Sequence, residues 1–188
     1  MNTLIVMLVL LSIPFFAVLI FTALMHNILV YRRNAADNVF STIDVMLKKR
    51  YDLIPNLVET VRGYASHEKE TLTKISEMRA RAVSDNTGIN EKINLDGEIT
   101  SAIGRIFAIA ENYPNLKANE QFLNLQKNLS DMEEQIAAAR RAYNAAVTDF
   151  NNSCEMFPTN IFASLFSFEK KKLFQVSDNE KQPARALP

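Results

Sequence analysis

The sequence predicts an all-α protein in which an N-terminal transmembrane helix continues into an elongated antiparallel bundle of three to four helices. Three observations carry that prediction. The chain of 188 residues holds 21 Lys+Arg and 21 Asp+Glu, yet none of these charges falls among the first 30 residues. Beyond residue 30, apolar side chains recur three and four apart over long stretches, which is the helical period. Four Gly, no Trp and few β-branched runs lean away from sheet architectures. The formal net charge of zero implies no polyanion-binding surface, so no nucleic-acid partner is expected. One cysteine and two histidines exclude an internal disulfide and a His-rich metal centre, and no cofactor is expected.

The first element is the anchor, residues 1–30. From Thr3 to Met25 the chain is uncharged and spans about 30 Å or slightly more as a helix, the thickness of a bilayer's hydrocarbon core. A cleaved signal peptide is the competing reading. It wants Lys or Arg before the apolar run and small residues at a cleavage site, whereas only Met1 and Asn2 precede the run and Thr22-Ala23-Leu24-Met25 is a poor site. An uncleaved single span is therefore expected. Arg32 and Arg33 follow it closely, so the positive-inside rule places the body in the cytoplasm.

The body covers residues 31–176. Phe40, Ile43, Leu47, Ile54, Leu57, Val61, Tyr64, Ile75 and Met78 read as one long amphipathic helix. The pattern stays in phase across Pro55, which argues for a kink there, with a helix end at Leu53 as the alternative. Ser84 to Gly88 is polar and breaks the period, so it is read as a loop. Leu95, Ile99, Ala102, Ile103, Ile106 and Ala110 mark a second helix, closed at Tyr113-Pro114-Asn115. Asn119 is a competent N-cap for the strictest stripe in the chain: Phe122, Leu125, Leu129, Met132, Ile136, Ala139, Tyr143, Ala146, Phe150 and, after Ser153, Phe157. That stripe permits coiled-coil-like packing and self-association. A short helix is expected from Thr159, then a Lys-rich aromatic segment. Residues 177–188 are read as a disordered tail.

Two segments carry a family resemblance. Arg50-Tyr51-Asp52-Leu53-Ile54-Pro55-Asn56-Leu57-Val58, with Val61 and Gly63-Tyr64-Ala65-x-His67-Glu68 after it, resembles the first signature of LemA-family proteins. Tyr143-Asn144-x-x-Val147-x-x-Phe150-Asn151, followed by Phe157-Pro158, resembles the second, with Phe150 where the family usually has tyrosine. The resemblance implies a single-pass bacterial cell (inner) membrane protein with a long helical body. It supplies no enzyme activity; some family members are associated with shaping membranes, as in magnetosome formation.

The residues themselves suggest local roles. Arg50, Asp52 and Asn56 sit near Pro55, where polar side chains are expected to satisfy backbone carbonyls freed by the proline. Asn144 and Asn151, seven apart on one face, suit either helix register or, with Tyr51 and Tyr143, a binding groove. Lys170, Lys171 and Lys172, set among Phe166, Phe168, Leu173 and Phe174, suit either an anionic membrane surface or a bundle end on which the rings pack back. His67-Glu68 begins like a zincin motif but lacks the second histidine, and Cys154 has no activating elbow beside it.

These readings converge on a non-catalytic, membrane-anchored scaffold or assembly protein acting through self-association or partner docking. Its expected partners are the lipid bilayer, further copies of itself and other membrane proteins. The rival is a membrane-bound hydrolase, or an accessory subunit of a membrane protease, using His67, Glu68 or Cys154. A pore is disfavoured because only Ser12 and Thr22 interrupt the apolar span.

Overall fold

The computed structural model describes residues 2–84 and 86–174. The expected tail, 177–188, lies outside the described residues. The chain is all-helical, a long N-terminal apolar helix followed by a helical bundle, with no strand among the described residues. The elements are α1 (Asn2–Arg62), a 3-10 turn (Ser66–Glu68), α2 (Lys69–Val83), α3 (Ile89–Ala110), α4 (Pro114–Lys117), α5 (Glu120–Glu155) and α6 (Thr159–Leu165).

Two compact units divide the chain, and both α1 and α5 contribute to each. The first unit holds residues 1–40 and 142–173; the second holds 41–141 and continues from Phe174. In the second unit the paired residues give the helix directions. Asp44 and Arg50 of α1 meet Lys92 and Asp96 of α3 in the same order, so those helices run parallel. Thr100 and Phe107 of α3 meet Glu133 and Phe122 of α5 in reverse order, so these run antiparallel. The core between them is apolar: Ile43, Leu47, Ile54 and Leu57 of α1, Leu72 and Ile75 of α2, Ile99 and Ile106 of α3, and Phe122, Leu129 and Ile136 of α5 are all buried. Each such side chain contributes roughly 1.5–3 kcal/mol against leaving it in water. In the first unit α1 and α5 run antiparallel, with Arg32 3.0 Å from Asp149 and the Phe40 and Tyr143 rings 5.7 Å apart.

The expected single helix through Met78 is two helices. α1 stops at Arg62, and Ala65 N–H closes onto the Val61 carbonyl at 2.8 Å. Gly63 weakens the helix there by about 1 kcal/mol relative to alanine. Tyr64, which the stripe placed inside, is 44% exposed, and Leu72, Ile75, Met78 and Ala82 begin a new buried face on α2. Pro55, by contrast, leaves α1 unbroken, so no helix end falls at Leu53.

The other boundaries follow local chemistry. Asn119 caps α5, its Oδ1 accepting the Phe122 N–H at 2.9 Å. Pro114 opens the short α4, where a missing N–H costs nothing. The α5 stripe ends at Phe150; α5 itself stops at Glu155, and Phe157, read as the last member of the stripe, is 80% exposed. The Phe157–Pro158 peptide is cis.

Candidate functional site: a buried ion cluster and a strapped C-terminal segment

At the centre of the second unit lies a charged side chain with almost no access to water. Arg50 is 1% exposed. Its Nη1 donates to Thr100 Oγ1 at 2.8 Å and to Glu133 Oε2 at 2.5 Å, and its Nη2 donates to Asp96 Oδ1 at 2.5 Å. Arg140 closes the other side, with Nη2 2.6 Å from Asp96 Oδ2 and Nη1 3.1 Å from Glu133 Oε1. The Arg140–Asp96 contact is coulombic, because that nitrogen finds no aligned acceptor. Two cations face two anions, so the cluster is neutral as a whole. Taking such charges out of water is costly unless they pair closely, as they do here.

Burial works against the Arg50 charge, but Asp96 and Glu133 outweigh it and hold the guanidinium above its ordinary pKa. Burial lifts the Asp96 carboxyl above its ordinary value, while Arg50 and Arg140 pull it back down. Tyr51, 2% exposed, lies under the Arg50 guanidinium, which sits 5.6 Å from the ring centroid. Among the described residues the Tyr51 hydroxyl is buried without an aligned hydrogen-bond partner, and burial pushes it up to about 12 against the pull of Arg50.

Around Pro55 the expected partners are replaced by one from another helix. A proline at position 55 removes the N–H that would bond the Tyr51 carbonyl. Arg79 of α2 donates its Nε to that oxygen at 3.3 Å. Asp52 is exposed and lies 3.6 Å from Arg79 Nη2, and Asn56 is exposed, its carbonyl accepting the Thr60 hydroxyl at 2.8 Å. Neither Arg50, Asp52 nor Asn56 therefore caps the freed carbonyl, which corrects that expectation: Arg50 is committed to the ion cluster, and a carboxylate has no proton to give.

In the first unit the second signature holds the segment after α6. Asn151 Nδ2 donates to the Lys171 carbonyl at 3.0 Å, while its Oδ1 accepts the Lys171 N–H at 2.9 Å. Tyr143 donates its hydroxyl to the Lys172 carbonyl at 3.2 Å; burial pushes that phenol up to about 12, with Asp37 adding to it. Asn144 is half-buried on the same helix. Of the three lysines, Lys171 pairs with Asp37 at 2.6 Å, Lys170 pairs with Glu155, and Lys172 is exposed. Phe166 and Leu173 are exposed, Phe168 is half-buried and Phe174 is buried under Arg140.

Sequence reasoning missed Asp96, Thr100, Glu133 and Arg140. A signal for them exists. Asp96 sits three residues after Ile93 and three before Ile99, both buried, so a charge stands in phase with an apolar stripe. Glu133 and Arg140 are seven apart and flank Ile136, which is 0% exposed.

Neither His67 nor Cys154 stands in a setting that activates it. His67 is exposed in the 3-10 turn, and burial raises the Cys154 thiol, the reverse of what activates a nucleophile. Among the described residues no three His, Cys, Asp or Glu side chains gather as a metal-binding group.

Comparison with known proteins agrees with the resemblance in both signatures. The LemA family matches over residues 39–186. Protein LemA of Metamycoplasma hominis is 30% identical over 82% of this chain and 71% of its own length. Magnetosome protein MamQ 2 of Paramagnetospirillum magneticum is 26% identical over 72% of this chain, and magnetosome protein MamQ of Magnetospirillum gryphiswaldense is 25% identical over 71%. The chain spans only 59% and 58% of those two magnetosome proteins.

Proposed function

The chain belongs to the LemA family, and on that premise we propose that it is a non-catalytic, membrane-anchored helical scaffold that works through self-association or by docking other membrane proteins. One observation carries the reading. The N-terminal half of α1 exposes Ile13, Phe15, Phe16, Val18, Leu19 and Ile20 at half or more of their surface, in a helix long and apolar enough to cross a bilayer. Water does not tolerate so continuous an apolar face, and lipid does. The same helix runs on without interruption into the second unit.

The proposed location is the bacterial inner membrane, with the body cytoplasmic on the strength of Arg32 and Arg33. The magnetosome relatives support a role in organising membranes. The buried ion cluster fits this reading as architecture: a neutral, closely paired core fixes how three helices, α1, α3 and α5, align, which is what a scaffold requires of its body.

The test is the size of the full-length protein in detergent and in native membrane extracts, with companions identified. Defined oligomers or reproducible partners are expected. A clean monomer without companions would remove the scaffold reading, and a turnover lost in His67→Ala would establish the hydrolase instead.

A further inference from the structure

The thirteen residues from Met156 to Phe168 carry no charge, and the ion cluster and the strap make no use of their apolar surface. They form the turn after α5, then α6 and its C-terminal cap. Met156 is 64% exposed, Phe157 80%, Ile161 56%, Leu165 67% and Phe166 41%. Isolated apolar side chains on a surface are ordinary, but five large ones within an uncharged stretch form a patch that water disfavours.

Ring contacts place this patch on the first unit. Phe162 lies 5.7 Å from Phe21, Phe166 lies 4.8 Å from His26, and Arg33 sits over the Phe168 ring at 5.4 Å. The contacts climb both segments together, so α6 and the residues that cap it run alongside α1. Phe21 belongs to the exposed apolar face of α1, which includes Ile13 before it and Leu24 after it. The five-residue step from Phe21 to His26 corresponds to about 7.5 Å along the helix, within the depth to which interfacial helices sink, about 5–10 Å. Since Phe162 touches Phe21, whatever medium surrounds α1 at that level also surrounds the outer face of α6.

The backbone is prepared for that medium. Asn160 N–H bonds the Met156 carbonyl at 2.9 Å, Phe166 N–H bonds Phe162 at 2.9 Å and Phe168 N–H bonds Ala163 at 2.9 Å. Pro158 has no N–H to satisfy, and the Thr159 hydroxyl donates to the Met156 carbonyl at 2.9 Å. Lipid demands such internal pairing. Charge appears only at the border of the patch, where Glu155 pairs with Lys170, Arg32 with Asp149 and Lys171 with Asp37.

We propose that Met156–Phe166 is a second membrane-inserting element, a turn and short helix that enter one leaflet of the bilayer beside the α1 span. The proposal rests on the reading of α1 as a membrane anchor. The occupant of the patch is lipid, because the patch is continuous with the exposed apolar face of α1 through Phe21 and Phe162 and is bounded by charges at headgroup level.

The experiment uses the full chain with Cys154→Ala and one new cysteine at a time: Phe16→Cys, Phe157→Cys, Leu165→Cys or Lys127→Cys, each at an exposed position. An environment-sensitive fluorophore is attached, and the protein is reconstituted in phosphatidylcholine–phosphatidylglycerol vesicles with brominated acyl chains. The probes at Phe157 and Leu165 should be quenched as the probe at Phe16 is, while Lys127 is not. Quenching at Phe16 with Phe157 and Leu165 behaving like Lys127 would overturn the insertion and leave the anchor standing. No quenching at Phe16 would overturn the anchor, and the insertion with it. Probes at Phe157 and Leu165 shielded from both lipid bromine and aqueous iodide would show protein covering the patch, most simply a second copy, and would overturn lipid as the occupant.

Discussion

Arg79 donates its Nε to the Tyr51 carbonyl at 3.3 Å, supplying from α2 the hydrogen bond that Pro55 takes away from α1. The long helix thus continues through a proline while a neighbouring helix meets the freed oxygen. The two residues should therefore be thermodynamically coupled. Arg79→Met is expected to cost about 1 kcal/mol in the natural chain. With Pro55→Ala, which restores the N–H, the same change should cost close to nothing. Additive losses in thermal melts of the four proteins would deny the coupling.

Arg50 is the partner of Asp96, Glu133 and Thr100. Arg50→Met leaves the Asp96 carboxylate buried with only Arg140, and a broken buried pair costs about 3–5 kcal/mol. The lower part of that range is expected, because Glu133 is 33% exposed and regains some hydration. Adding Asp96→Leu should recover much of the loss, since an apolar replacement leaves no uncompensated charge. Denaturant unfolding of both variants in detergent measures this. An equal or larger loss in the double variant would mean that the cluster stabilises by more than charge balance.

How much of this was legible in the sequence follows from what periodicity can carry. The all-helical class, the long apolar N-terminal helix, the break after Val83 and the Asn119 cap each rest on local chemistry, and each appears in the structure. The break at Gly63 was hidden because two helices joined by a short turn keep the same three-and-four spacing as one. The ion cluster was half legible: Arg50 stood out in a signature, but its partners come from α3 and α5, and no spacing within one helix announces a contact 46 or 83 residues away. Asp96 was readable as a charge in an apolar stripe. The Asn151 clamp was not readable, because its partner is a backbone group.

Tyr51 buries a hydroxyl that finds no aligned hydrogen-bond partner among the described residues. An orphaned buried hydroxyl costs about 1–3 kcal/mol, so Tyr51→Phe should raise the melting temperature. Its pH dependence has a definite sign. The folded-state pKa is about 12, above the ordinary phenol value of about 10. Below pH 10 both states keep the proton; between 10 and 12 the unfolded chain releases it first, so stability falls as pH rises through that window. Tyr51→Phe should flatten part of the fall, and the part due to Tyr143 should persist. Identical alkaline profiles would place the Tyr51 hydroxyl in contact with a hydrogen-bond partner or with water.

Ser167 adopts φ 56 at the end of α6, where its N–H bonds the Ser164 carbonyl at 3.2 Å and Phe168 N–H bonds Ala163 at 2.9 Å. This is the left-handed helix cap usually taken by glycine. Ser167→Gly should stabilise the chain by up to about 1 kcal/mol and Ser167→Val should destabilise it by more. Opposite signs in thermal melts would mean that the serine side chain holds the cap.

Asn151 clamps both backbone groups of Lys171, and that arrangement separates two roles for the second signature. If the amide straps the C-terminal segment, Asn151→Leu leaves a half-buried N–H and carbonyl unpaired, a loss of about 1–3 kcal/mol in local stability. Each 1.4 kcal/mol is tenfold in opening, so the amides from Phe168 to Phe174 should exchange hydrogen roughly ten times faster, or more, while the α5 amides keep their protection. Asn151→Asp keeps the acceptor and loses the donor, and should fall between. If instead Asn151 chooses helix register between copies, the leucine variant keeps a protected C-terminal segment and broadens the oligomer distribution, because an apolar side chain satisfies burial without selecting one alignment. Exchange at Lys171 together with size in detergent decides between them, since faster exchange at constant size assigns the clamp and altered size with intact protection assigns the register.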